Sequence, residues 1–273
     1  MNVKNDANIT HGCVKTEAFT MRYFSFGRGE RPLVILPGLS VQSVMGSAQA
    51  VAKEYSVMQE EFTVYLFDRR EDLPSKYSVY DMAQDTAAAI QTLGLRDVCL
   101  FGASQGGMIA LCIAINHPEL VGKLALGSTS PDADAADSGV LGRWITLAKN
   151  GDRLGLYTEF GRAIYPQAVF EMLRGALAAA SETVTDGELA RFVILAEGTA
   201  GFHVSDRLTE LKCPVLVLGA ADDRVLGEDA TGKFIEKLGD RPDFGYYVYD
   251  GFGHAAFDTA PDYRNRLYDF FIN

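Results

Sequence analysis

Cysteine is scarce in this chain and nowhere paired at short spacing. Four occur, Cys13, Cys99, Cys112 and Cys213, and they are scattered with no CxxC. That excludes a dithiol redox motif and a compact cysteine metal site. Three of them lie in apolar stretches and read as small buried residues, which suits a reducing cytoplasm. Positive charge is also in deficit: 25 Lys plus Arg stand against 36 Asp plus Glu, a formal charge of −11. Phosphate backbones and anionic membrane surfaces repel such a chain, and its densest basic spot, Asp68-Arg69-Arg70-Glu71, neutralises itself. Long apolar runs are missing. The longest without a charge, Met108 to Ile115, is far too short to span a bilayer, and the polar start Met1 to Asp6 leads into no signal-peptide core. The four histidines lack metal-ligand spacing, and no P-loop or G-x-G-x-x-G opens a helix.

What remains is the composition of a globular protein, 48% apolar and 22% charged, with no internal repeat. Residues 12–26 alternate and carry aromatics, which predicts two antiparallel strands at a sheet edge. Short runs bounded by turn residues predict strands buried on both faces: Leu33–Leu36, Phe62–Phe67, Val98–Phe101, Leu124–Leu126, Val215–Leu218 and Tyr246–Tyr249. Helical spacing predicts helices over Val79–Leu93, closed by Gly94, and over Gln105–His117, Glu228–Leu238 and Pro261–Phe271. The Gln105–His117 stretch carries no charged side chain, so that helix is expected among other elements. Alternating strand and helix predict an α/β fold, a mostly parallel sheet with helices on both faces. Between Gly127 and Leu211 the alternation breaks. Only helical stretches follow the Asp-rich loop Pro131–Asp137: Leu141–Ala148, Leu154–Ile164, Val169–Ala180 and Gly187–Leu195. The expected organisation is a core of residues 1–127 and 211–273 carrying a helical cap, or lid, of residues 128–210.

Gly102-Ala103-Ser104-Gln105-Gly106 follows a predicted strand and opens a predicted helix. A G-x-S-x-G turn in that context is a nucleophile elbow. Only small residues fit at 102 and 106 in so tight a turn, and the helix N-terminus beneath the serine favours developing negative charge. A serine needs a base. His11, His117 and His203 fit structural roles. His254, in Asp250-Gly251-Phe252-Gly253-His254, follows the last strand at the end of the sheet where ligands bind. The acid that orients it belongs in Gly219-Ala220-Ala221-Asp222-Asp223-Arg224-Val225. Counting from Gly219 favours Asp222, and matching Arg-Val favours Asp223. Asp223 is preferred, with Asp222 the alternative. The backbone N–H groups of Leu39 and Gln105 are the candidate oxyanion donors.

These residues occur in the chain order of the α/β-hydrolases. The sequence resembles that superfamily over nearly its whole length: Leu-Pro-Gly-Leu at 36–39, Phe-Asp-Arg-Arg at 67–70, Tyr77–Leu95, the elbow at 102–107, Cys-Pro-Val-Leu-Val-Leu-Gly at 213–219 and Gly-Phe-Gly-His at 251–254. The resemblance implies an eight-stranded sheet with a cap after the sixth strand. Pro37-Gly38 replaces the family's frequent His-Gly, and Asp68-Arg69-Arg70-Glu71-Asp72 replaces its Asp-Arg-x-Gly-x-Gly turn. A serine nucleophile argues against the aspartate-using dehalogenases and epoxide hydrolases of this fold.

The expected activity is carboxylesterase-like hydrolysis of an ester or thioester through an acyl-enzyme on Ser104, with carbon–carbon hydrolysis close behind. Tyr157, Phe160 and Phe170 are candidate pocket residues. A non-catalytic ligand receptor and a non-hydrolytic enzyme, such as a lyase or perhydrolase, are the rivals. Expected partners are a small-molecule substrate and at most a second copy in a homodimer, with no nucleic acid, membrane, metal or cofactor.

Overall fold

The computed structural model describes residues 8–133, 139–227 and 229–273. The polar start Met1–Asp6, residues 134–137 of the Asp-rich loop, and Glu228 lie outside the described residues. β1 (Thr10–Lys15) and β2 (Thr20–Gly27) form the expected antiparallel pair. β3 (Arg31–Leu36) and a short α1 (Ala48–Glu54) follow, then β4 (Phe62–Phe67) and α2 (Val79–Thr92). α2 starts where the Ser78 and Asp81 side chains cap each other's backbone N–H. It stops before Gly94, whose φ of 69° suits a residue without Cβ. β5 (Val98–Ala103), α3 (Gln105–Asn116) and β6 (Val121–Gly127) form the next unit. Every residue of β5 is buried, and so is α3 up to Ile115, which is why neither shows an amphipathic pattern.

After β6 come four helices: α4 (Gly139–Lys149), α5 (Arg153–Ile164), α6 (Gln167–Glu182) and α7 (Asp186–Glu197). The only extended pairing described between β6 and the next strand is an isolated bridge, Asp132 to His203. β7 (Val215–Ala220), α8 (Ala230–Leu238), β8 (Phe244–Tyr249), the single turn α9 (Ala256–Thr259) and α10 (Tyr263–Ile272) complete the chain. α1 and α9 were not foreseen, because helices so short carry too few turns to show a period.

The eight strands lie in the order β1-β2-β4-β3-β5-β6-β7-β8, parallel from β4 onward. The chain winds outward in both directions from β3 and β5. Their carboxyl ends therefore flank the point where the order reverses, which leaves a crevice. Alternation along β3 explains the two core layers. Val34 and Leu36 join the layer under α2 and α3, while Leu33 and Ile35 join the layer containing α1 and α10. A third apolar cluster holds α4, α5 and α7 together through Trp144, Ile145, Leu156 and Phe192. It reaches Val41 and Ala255, on the loops after β3 and β8. Among the described residues no helix is long and apolar enough to cross a membrane.

Candidate active site

Ser104 sits between β5 and α3 with φ 52° and ψ −123°, a conformation that costs an L-residue about 1–3 kcal/mol. Neighbouring bonds enforce it. Its N–H donates to Gly127 O at 2.8 Å, and its carbonyl accepts from Thr129 Oγ1 at 2.7 Å and Gly107 N at 2.8 Å. The glycines allow the close approach. A Cβ on Gly106 would lie 2.1 Å from Leu36 O, and one on Gly102 would lie 2.3 Å from Gly106 O.

His254 Nε2 lies 2.9 Å from Ser104 Oγ, and His254 Nδ1 lies 2.8 Å from Asp223 Oδ2. A carboxylate can only accept, so Nδ1–H donates to Asp223 and Nε2 is left to accept from the serine hydroxyl. Asp223 Oδ1 accepts from Val225 N at 2.8 Å and Leu226 N at 2.9 Å, which fixes the carboxylate. Both side chains are 3% exposed. Asp222 points elsewhere: its Oδ1 accepts from Gly253 N at 3.0 Å and so braces the loop carrying His254. Ala255 N donates to Ile164 O at 2.8 Å and ties that loop to the end of α5. The other histidines are engaged away from Ser104. His11 packs on Phe24 in the outer strands, His117 meets Gln84, and His203 contacts Asp132.

Leu39 and Gln105 both line the cavity above Ser104. The N–H of Gln105 opens α3 and has no intrahelical acceptor. The Gln105 side chain is a feature that the sequence did not signal. It is 3% exposed, donates to Leu195 O at 2.7 Å and Thr199 Oγ1 at 2.8 Å, and accepts from Arg69 Nη2 at 3.3 Å. Arg69 Nη2 also donates to Pro37 O at 2.8 Å. Burial pulls the guanidinium down to about 10, which leaves it cationic at neutral pH. Arg191 of α7 donates to Arg70 O at 2.7 Å and Arg69 O at 3.0 Å. The unusual Asp68–Asp72 turn thus links the loop after β3, the start of α3 and α7.

Among the described residues, two cavities meet at Ser104. One of about 210 Å³ runs over Gln105 and Met108 toward Ser130, Asp132 and Lys233. The other, about 430 Å³, runs past His254 and is walled by Phe160, Ile164, Tyr165 and Phe257. Trp144 and Leu39 border both. Of the three pocket residues expected from sequence, only Phe160 lines either cavity. Tyr157 turns its hydroxyl to Gln42 Oε1 at 3.1 Å, and Phe170 is buried against Gly161 and Arg162. Trp144, packed against Phe160 with ring centroids 4.4 Å apart and planes tilted by 34°, is the wall residue that sequence reasoning missed. Its signal was its place as the sole tryptophan on an amphipathic helix.

Comparisons with known proteins agree with this architecture. The family described as alpha/beta hydrolase fold matches residues 31–144. The chain is 28% identical over 227 residues, 78% of it and 83% of the relative, to the "Putative carbamate hydrolase RutD" of Caulobacter segnis. It is 26% identical over 273 residues, 92% of it and 90% of the relative, to the 2-hydroxy-6-oxononadienedioate/2-hydroxy-6-oxononatrienedioate hydrolase of Paraburkholderia phymatum. Among solved structures, the alpha/beta hydrolase enzyme MGS-M2 from a Medee basin deep-sea metagenome library superposes with a TM-score of 0.81. Identity there is 18%, and 96% of this chain and 98% of that one are covered. The protein has the α/β-hydrolase fold, and its residues 31–144 match the family of that description.

Proposed function

We propose that this protein is a serine hydrolase that cleaves a small-molecule ester or thioester through an acyl-enzyme on Ser104. The observation that carries the reading is the unbroken row Ser104–His254–Asp223, bonded at 2.9 and 2.8 Å, at a strained elbow open to two cavities. Ser104 Oγ bonds to the carbonyl carbon while its proton passes to His254 Nε2. Asp223 steadies the imidazolium. The oxyanion is met by the N–H groups of Leu39 and Gln105. Collapse breaks the bond to the leaving oxygen or sulfur, which takes the proton from Nε2. Water repeats the sequence and frees the acid and the serine. In this reading residues 128–210 act as a cap, and its residues Trp144 and Phe160 select the substrate.

Hydrolytic carbon–carbon cleavage is the second reading, favoured by the likeness to the Paraburkholderia hydrolase of 2-hydroxy-6-oxo dienedioates. It uses the same three residues. The test is intact-mass analysis after a fluorophosphonate, on wild type and Ser104→Ala, followed by a panel of esters, thioesters and ketones. Labelling of wild type alone, with ester or thioester turnover, supports the proposal, and turnover of the ketones alone moves the second reading forward. A folded wild type that resists both large and small fluorophosphonates, yet is stabilised by a ligand without turnover, overturns both in favour of a receptor.

A further inference from the structure

The two cavities are not equivalent, and the histidine distinguishes them. His254 Nε2 delivers the proton to the departing atom, so the leaving group lies on the side where His254 forms the wall. Of the two cavities, His254 lines the larger. The smaller one contains Gln105, whose N–H holds the carbonyl oxygen, and it takes the acyl side. The larger cavity is lined by apolar side chains, among them Val44, Val51, Ile164 and Phe257, and by a polar group of Tyr55, Arg264, Asp258 and Glu54.

Arg264 is the feature that needs an occupant. Its side chain is 12% exposed and its guanidinium lies 5.5 Å above the Tyr55 ring. Nη1 donates to the Asp258 carbonyl at 3.2 Å. Nη2 stands 3.6 Å from Glu54 Oε2, too far for a hydrogen bond, and Glu54 is 57% exposed. Nε is buried without free surface and has no partner among the described residues, so it does not face an occupant of the cavity. Arg264 lines the cavity, and its Nη1 and Nη2 each carry a second hydrogen for a carboxylate to accept. The Asp258 carboxyl lines the same cavity; desolvation pushes it up from its ordinary value while the Arg264 guanidinium pulls it down.

We propose that the larger cavity seats a leaving alcohol or thiol with an apolar body and a terminal carboxylate, and that Arg264 receives that carboxylate. The inference rests on the Ser104 reading and adds the substrate class to it. Arg264 touches the far end of the substrate and sets specificity, taking no part in bond breaking.

The experiment compares acetate esters of straight-chain primary alcohols of increasing length, ending in methyl, carboxylate or ammonium. In wild type the carboxylate ester of best-fitting length is expected to exceed its methyl counterpart in kcat/KM roughly ten- to a hundredfold. Arg264→Gln is expected to abolish that preference while leaving fluorophosphonate labelling of Ser104 unchanged. Arg264→Lys, which keeps the charge, is expected to restore part of it. Binding is read separately on Ser104→Ala, where free ω-hydroxy carboxylates raise the melting midpoint only if Arg264 is present. Should Arg264→Gln fail to fold, the Lys variant and the wild-type ester series decide. Equal rates for all three termini, a preference for ammonium, or a carboxylate preference that survives Arg264→Gln would each overturn the proposal. A wild type that labels at Ser104 but shows no terminal preference sinks this inference alone, whereas one that does not label sinks the hydrolase reading as well.

Discussion

At the scale of single residues, Asp222 and Asp223 show how neighbours divide the work. Successive side chains in a turn leave in different directions, so only one can meet Nδ1 of His254. Asp223 does so, and its second oxygen is held by two backbone N–H groups. Asp223→Asn is expected to lower kcat by roughly 10³–10⁴, because an amide no longer stabilises the required tautomer. Asp222→Asn retains an oxygen able to accept from Gly253 N and is expected to keep kcat within about tenfold. Steady-state kinetics of the pair checks this, and equal losses would mean that the acid is not Asp223. The sequence narrowed the candidate acid to these two positions and preferred Asp223 only by matching the following Arg-Val, since the choice depends on the path of two loops far apart in the chain.

At the scale of elements, Arg69 joins pieces that no local pattern connects. It ties Pro37, next but one to the proposed oxyanion donor Leu39, to Gln105, the second proposed donor. Arg69→Met leaves Pro37 O and Gln105 Oε1 without that donor, and is expected to cut kcat about ten- to a hundredfold with little change in KM. A loss confined to KM would show that Arg69 merely shapes the pocket. The helices of 139–197 are held on their own apolar cluster, where Phe192 is fully buried. Phe192→Ala is expected to cost about 3–5 kcal/mol, read by denaturant unfolding. A cost under about 1 kcal/mol would mean that α7 packs less tightly than the described contacts show.

At the scale of the whole molecule, Asp132 links distant parts of the chain. It accepts from Ser205 and from Lys233 of α8, and it pairs with His203. Burial alone would raise its pKa, but the bonds from Ser205 and Lys233 and the nearby His203 outweigh it and hold the carboxyl low. The folded state therefore binds fewer protons here than the unfolded chain. This contribution to stability is complete above the ordinary aspartate value of about 3.9 and is lost as pH falls through the lower folded value. Asp132→Asn should melt below wild type at neutral pH, and the gap should close in acid. A gap that stays constant with pH would show that the carboxylate's charge is not what stabilises the link.

The strands, the principal helices, the elbow at Ser104 and the candidate base His254 were legible in the sequence, because each depends on residues close together in the chain; the exception is the burial of β8, expected on both faces, which is an edge strand with Tyr246, Tyr247 and Val248 exposed. A buried strand must be apolar on both faces, a helix repeats its apolar face, and a turn this tight admits only glycine at 102 and 106. Contacts between remote segments were not legible. Which aspartate faces His254, why Arg69 is buried against Gln105, why Trp144 and not Tyr157 or Phe170 walls the cavities, and how Arg264 of the last helix comes to line the larger one all follow from the packing of separate elements. Tertiary structure decided these because a side chain's direction and partners depend on where the rest of the chain lies, and spacing along the sequence carries no record of that.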